Sequence, residues 1–130
     1  MNPLSLIRRV LPLLACLLVI GCSDKPRLVP LTGRVTLKGQ PVTAGSVVLH
    51  PDAANHYQKD LPSSLLQLDG SFAFKTFPFG EGVPPGTYTM TLAPELANRL
   101  KVPRYARAES SDWKIEVPPS GREGLLFEVK

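Results

Sequence analysis

The chain has 130 residues, a formal net charge of +4 and two cysteines, and 20% of its residues are charged. This length suffices for one domain with a single core. Its lysines and arginines are scattered among acidic residues, which excludes the basic stripe that nucleic-acid binding requires and predicts no nucleic-acid partner.

The first residues have the layout of a bacterial signal peptide. Arg8 and Arg9 give a positive start, and an apolar run follows over residues 10–20. That run is too short to cross a bilayer as a helix, which takes about 20 apolar residues, but it suits the core of a secretory signal. Residues 19–22, Val-Ile-Gly-Cys, resemble a lipobox. The alternatives are a plain secretory signal and a membrane anchor that is never removed.

Cys22 is the better processing site of the two cysteines. Cutting at Cys16 would leave six apolar residues after Arg9, whereas cutting at Cys22 keeps the whole run in the signal. We therefore predict a signal peptide over residues 1–21 and acyl chains on Cys22. The mature chain then has a charge of +2, because two arginines leave, and no second cysteine for a disulfide, a thiolate metal site or a nucleophile.

Lipidation predicts an extracytoplasmic protein held on a bacterial membrane through Cys22. Ser23, rather than Asp, follows the cysteine and favours the outer membrane in enterobacterial-type sorting, but Asp24 leaves inner against outer open. Residues 22–30 form the lipidated N-terminus and a short tether, rich in charge and proline.

From residue 31 to residue 130 the dominant hydrophobic period is two, which predicts β-strands with one apolar and one wet face. The apolar positions fall into six groups: Gly33, Val35, Leu37; Val47, Leu49; Phe72, Phe74; Tyr88, Met90, Leu92; Trp113, Ile115, Val117; and Leu125, Phe127, Val129. Residues 64–68 bring the count to about seven. Such a set of short strands predicts an all-β, antiparallel two-sheet sandwich.

Turn residues separate these strands. Asp69-Gly70, between residues 65–68 and 71–75, predicts a tight hairpin. Residues 51–62 form a long irregular stretch, and residues 95–100 are the only segment that suits a helix.

No catalytic constellation stands out. His50, Asp52 and His56 could in principle hold a divalent metal, but two histidines in a polar loop without a third strong ligand favour a solvated loop. There is no Gly-x-Ser-x-Gly elbow, and the carboxylates lie in predicted turns. We therefore predict no catalytic residue, no metal and no cofactor.

The aromatic residues divide into core and surface candidates. Trp113 is in phase with Ile115 and is predicted to be buried. Phe77 and Phe79 break the strand period, and together with Tyr105 they form the candidate platform for a sugar or a peptide.

Several motifs resemble those of carboxypeptidase regulatory-like domains, which have a transthyretin-like (prealbumin-like), immunoglobulin-like sandwich. They are Gly33-Arg-Val-Thr-Leu-Lys-Gly-Gln-Pro-Val42 with Ala44-Gly45-Ser-Val-Val-Leu49, Leu68-Asp-Gly-Ser-Phe72 and Val83-Pro-Pro-Gly-Thr-Tyr88. With a lipobox in front, the chain is similar to small envelope lipoproteins of planctomycete-type bacteria. The resemblance spans residues 31–130 and implies a fold without catalysis.

Two departures from related domains matter. A single Asp69 stands where the family usually has an acidic pair, which argues against calcium at this turn. The hydroxyisourate hydrolases of similar fold end in Tyr-Arg-Gly-Ser, whereas this chain ends Phe127-Glu-Val-Lys130. The leading hypothesis is therefore a non-catalytic, lipid-anchored envelope protein that presents loops or edge strands to another envelope protein or a polysaccharide. The alternatives are a carbohydrate- or peptide-binding module and, third, a small metal-dependent hydrolase.

Overall fold

Two β-sheets form a sandwich-like arrangement, as the alternating pattern predicts. The computed structural model describes residues 25–130. The strands are β1 (Leu31–Leu37), β2 (Gln40–Pro41), β3 (Ser46–Pro51), β4 (Ser63–Leu65), β5 (Ser71–Ala73), β6 (Lys75–Thr76), β7 (Gly80–Glu81), β8 (Gly86–Leu92), β9 (Lys114–Val117) and β10 (Arg122–Val129). One α-helix, α1 (Pro94–Arg99), and one 3₁₀ helix (Pro103–Ala106) follow β8.

The larger sheet has the strand order β7-β6-β4-β3-β8-β9, and the smaller has β10-β1-β2 with β5 also paired to β1. Pairing is antiparallel except between β1 and β10, which run parallel with Leu37 opposite Val129. The prediction of an antiparallel sandwich is confirmed for the other described strand pairs, and this parallel pair departs from it. Its two strands are the first and the last long strands, so the rest of the domain supplies the long crossover that parallel pairing needs.

The core lies between the sheets and consists of the inward-facing half of each alternating segment. Trp113 is 7% exposed, and the predicted inward residues of β3, β8 and β9 are all buried. The largest side chains with almost no exposed surface are Tyr88, Tyr105, Phe74, Leu31, Leu49, Met90, Leu92, Leu96 and Ile115. The period-two reading therefore identified most of the core.

The predicted hairpin at Asp69-Gly70 is only half right. The turn forms, because the Gly70 amide donates to the Gln67 carbonyl at 2.9 Å and the Gln67 amide donates to the Ser71 carbonyl at 2.9 Å. The strands on either side then separate, since β4 pairs with β3 and β6 while β5 pairs with β1. The chain thus passes from one sheet to the other at this corner.

The helical segment after β8 begins and ends close to its predicted position, with Leu96 and Ala97 buried. The 3₁₀ helix that follows places Tyr105 in the core, fully buried against Trp113 at a ring-centroid distance of 4.3 Å. The expectation that Tyr105 contributes to an exposed platform is therefore wrong, because its ring fills the interior beside the large sheet.

Candidate binding surface

A groove of about 630 Å³ lies at the corner where the chain passes from β4 to β5. Its walls belong to β4, β5 and the β6–β7 hairpin. The lining residues are Ser63, Ser64, Leu65, Gln67, Ser71, Phe72, Ala73, Lys75, Phe77, Pro78, Gly80 and Glu81. We call it the β4–β5 groove.

One wall of the groove is a partly unpaired strand edge. The Leu66 amide donates to the Gly45 carbonyl and the Leu49 amide donates to the Pro62 carbonyl, both at 2.9 Å. Because backbone direction alternates along an antiparallel strand, Leu65 turns its own amide and carbonyl towards the groove. Pairing of β4 with β6 covers only Ser63, opposite Lys75. Among the strands of residues 25–130, none therefore pairs with the β4 edge beside Leu65.

The opposite wall is the outer edge of β5. The Phe74 amide donates to the Leu31 carbonyl at 3.1 Å, so by the same alternation Ala73 faces away from β1 and into the groove. One side chain bridges the two edges: the Ser64 hydroxyl accepts from the Ala73 amide at 3.1 Å and donates to the Leu65 carbonyl at 2.8 Å. The groove is thus a gap between the edges of β4 and β5, and the Ser64 hydroxyl bridges this gap.

The rim of the groove carries exposed apolar side chains beside a pair of charged ones. Leu65 is 71% exposed and Phe77 is 83% exposed, while Lys75 and Glu81 lie opposite each other in the β6–β7 ladder. Leu68, in the neighbouring turn, is 91% exposed. Large apolar side chains that remain in water beside a cleft are typical of binding sites.

The three predicted platform residues do not come together on the surface. Phe77 is exposed at the groove rim, Phe79 is half-buried in the same hairpin, and Tyr105 lies in the core. Sequence reasoning did not single out Leu65 or Ser64. The local pattern around Leu65 predicts a hairpin, and nothing in that pattern shows that the two strands separate.

The candidate metal residues lie at the end of β3 and in the loop that follows it. His50 lies on the outer face of β3, where its Nε2 is 3.0 Å from Thr91 Oγ1. Burial lowers the pKa of His50 below its ordinary value, and the charge of Glu109 acts in the opposite direction. Over residues 25–130, no group of three or more His, Cys, Asp or Glu side chains is placed to hold a metal ion.

The loop after β3 is fixed by amide side chains. Asn55 donates from Nδ2 to the Thr87 carbonyl at 2.7 Å and accepts from the Thr87 amide at 2.9 Å. Gln58 Nε2 contacts three backbone carbonyls of the same loop. The Tyr57 hydroxyl donates to Asp60 Oδ2 at 2.5 Å, and this bond raises the pKa of Tyr57 to about 12. Asn55, Tyr57 and Gln58 therefore stabilise the conformation of this loop through their hydrogen bonds.

Comparison of the chain with protein-family models, with curated proteins and with solved structures gives no match in any of the three. Cys22 and the predicted signal peptide lie outside the described residues. Among residues 25–130 there is no helix of the length and apolarity needed to cross a membrane.

Proposed function

We propose that the protein is a non-catalytic, lipid-anchored envelope protein that binds an extended segment of another envelope protein in the β4–β5 groove. The anchor rests on the sequence, where a basic start and a short apolar run end at Gly21-Cys22. The binding role rests on one structural observation, the split between β4 and β5.

The chemistry of the split favours a peptide as its ligand. The Ser64 hydroxyl already binds the Ala73 amide and the Leu65 carbonyl, so the groove offers a ligand the Leu65 amide and the Ala73 carbonyl. An extended chain can bind such groups by adding along a strand edge. The exposed Leu65 side chain then provides an apolar contact for alternate side chains of the ligand. A partner strand bound here would also cover an exposed strand edge, which could otherwise pair with other chains and cause aggregation.

A polysaccharide ligand is the second candidate, because the exposed ring of Phe77 offers a face on which a sugar can stack. Tyr105 cannot contribute a second ring, since it is buried. The peptide is favoured because strand edges, rather than aromatic faces, make up the walls of the groove.

The anchor is tested by mass spectrometry of the mature N-terminus. We expect a chain that starts at Cys22 and carries two or three acyl chains, because one chain alone gives only marginal membrane binding. An unmodified Cys22, or a Cys22→Ser protein that is still processed and retained in the membrane, would contradict the anchor.

The groove is tested by placing a photo-crosslinking residue at Leu65 in the full chain in cells. We expect discrete adducts with one envelope protein through an extended segment. A crosslinker at Leu126, exposed on β10, is the matched control and is expected to give no such adduct. Adducts from Leu126 equal to those from Leu65 would refute binding at the groove.

Catalysis is tested with purified, metal-replete protein on a panel of hydrolase substrates. We expect no turnover. Turnover that is lost in His50→Ala would favour the metal-dependent hydrolase and overturn the proposal.

A further inference from the structure

The chain enters the domain at one particular end of the sandwich, which we call the tether end. Val29 pairs with Val83, and the Arg27 guanidinium donates to the Pro119 carbonyl at 3.2 Å, between β9 and β10. The ladder pairs Gly86, the first residue of β8, with Val117, the last residue of β9. The starts of β1, β8 and β10 and the ends of β3 and β9 therefore lie at this end.

The β6–β7 hairpin projects at the tether end too. Strand β5 runs antiparallel to β1, and the Phe74 amide bonds to the carbonyl of Leu31, the first residue of β1. The residues after Phe74 therefore extend beyond the first residue of β1, towards the tether end of the domain. They form the tip of the hairpin, residues 77–79.

The tip is held in shape and presents an apolar side chain to solvent. The Phe79 amide donates to the Thr76 carbonyl at 2.8 Å, and the Thr76 hydroxyl donates to the Gly82 carbonyl at 2.8 Å. Phe77 is 83% exposed at its end, followed by an exposed Pro78. Residues 25–130 therefore leave most of the Phe77 side chain exposed.

The length of the tether limits how far this end can be from a lipid anchor. Cys22 precedes Val29 by seven residues, so even a fully extended chain spans at most about 25 Å between them. The opposite end of the domain, where Leu68 is exposed in the turn after β4, lies farther away by the length of the strands, about 20 Å. With acyl chains on Cys22, the bilayer is thus the large apolar phase within reach of Phe77.

We propose that the Phe77 tip inserts into the surface of the bilayer that holds the lipid on Cys22, and so docks the domain with its tether end down. This inference rests on the proposed lipid anchor. Transfer of an exposed aromatic ring and the adjacent proline from water into the acyl boundary is favourable, and apolar side chains of interfacial proteins bind membranes in this way. Docking fixes the β4–β5 groove beside the membrane surface, with its Leu65 half away from the lipid.

The experiment measures immersion depth by electron paramagnetic resonance of nitroxide labels on the full lipidated protein in phosphatidylethanolamine–phosphatidylglycerol vesicles. Processing removes Cys16 and lipidation blocks the Cys22 thiol, so an introduced cysteine is the one reactive thiol. Three variants are compared: Phe77→Cys at the tip, Leu68→Cys at the opposite end, and Ser120→Cys in the exposed turn between β9 and β10. Ser120 is the matched control, because it is exposed at the tether end but lies outside the β6–β7 hairpin.

We expect the label at position 77 to be several-fold more accessible to oxygen than to a water-soluble nickel chelate, relative to the labels at positions 68 and 120. Equal aqueous accessibility at all three positions in vesicle-bound protein would overturn tip insertion and leave the anchor intact. Protein that carries no acyl chain and stays off the vesicles would overturn the anchor, and the inference with it. Immersion of position 68 instead of position 77 would also refute the proposed orientation.

Discussion

At the scale of single residues, Trp113 packs against Tyr105 and Phe127 in the core. Its ring lies 4.3 Å from that of Tyr105 and 5.5 Å from that of Phe127, measured between centroids, and 7% of the residue is exposed. We expect Trp113→Ala to lower the free energy of unfolding by about 3–5 kcal/mol, as measured by urea denaturation, because it leaves a large cavity. Leu126→Ala, at an exposed position of β10, should cost less than about 1 kcal/mol. Equal losses would contradict the packing described.

His50 should make stability depend on pH. Burial lowers its pKa below the ordinary value of 6.5, so the unfolded state binds a proton at a higher pH than the folded state does. Stability therefore falls as pH drops below about 7, and the fall stops below the folded pKa of His50. We expect denaturant melts between about pH 8 and pH 5 to show this slope, in a range above the usual titration of carboxylates.

The matched control for this slope is the other histidine. His50→Gln should flatten the pH dependence, whereas His56→Gln, in the exposed part of the loop after β3, should leave it unchanged. A slope that survives His50→Gln would show that another group causes it.

At the scale of elements, close approach of β1 to β10 requires a glycine. A Cβ on Gly33 would lie 2.5 Å from the Leu125 carbonyl oxygen and 2.6 Å from the Phe72 ring. We expect Gly33→Ala to destabilise the fold by about 1–3 kcal/mol, since one of these neighbours is backbone. Hydrogen exchange should then accelerate first in β10.

The stability of a Gly45→Ala variant provides the comparison for Gly33→Ala. Its Cβ would meet the end of the Leu96 side chain at 2.6 Å, and a side chain can move where a carbonyl cannot. The substitution should therefore cost less than Gly33→Ala. The reverse order would contradict a tight β1–β10 contact.

Sequence reasoning succeeded for the apolar positions of the alternating segments. Tyr88, Met90 and Leu92 face the core as predicted. The expectation of a wet opposite face is wrong for β8, where Thr89 and Thr91 are buried too. Sequence reasoning failed at the β4–β5 corner, because a tight turn specifies local geometry but not which sheet each flanking strand joins. Parallel pairing of β1 with β10 was likewise hidden, since it depends on contacts between residues about ninety positions apart.

The sequence pattern predicts only part of the candidate site, because that pattern is local and the groove depends on how distant strands pair. Phe77 was placed on the surface by its break in period, and it is exposed. Tyr105 was misplaced because it lies in a short 3₁₀ helix, where period two carries no information. The groove itself arises from two strand edges that separate in space, and no local pattern encodes that separation.

At the scale of the whole molecule, residues 23–130 contain no cysteine, so no disulfide within this segment can stabilise the domain beside its apolar core. We expect the thermal midpoint of the lipidated protein, followed by circular dichroism, to be the same with and without a chelator, and with and without a thiol reductant. A spectrum dominated by helix would contradict the fold. Loss of folded structure on chelation would show that a bound metal stabilises the domain and would contradict folding without a metal.

The central claim is that a partner segment occupies the β4–β5 groove. It is tested most directly by keeping a photo-crosslinking residue at Gln67, in the groove lining, and comparing adduct yield in cells between two second-site variants of the full chain. Leu65→Asp places a charge on the groove wall and should abolish the adduct, whereas Leu126→Asp, at a similarly exposed position, should leave the yield unchanged. An adduct that persists in Leu65→Asp at the yield of the parent protein would contradict binding in the groove.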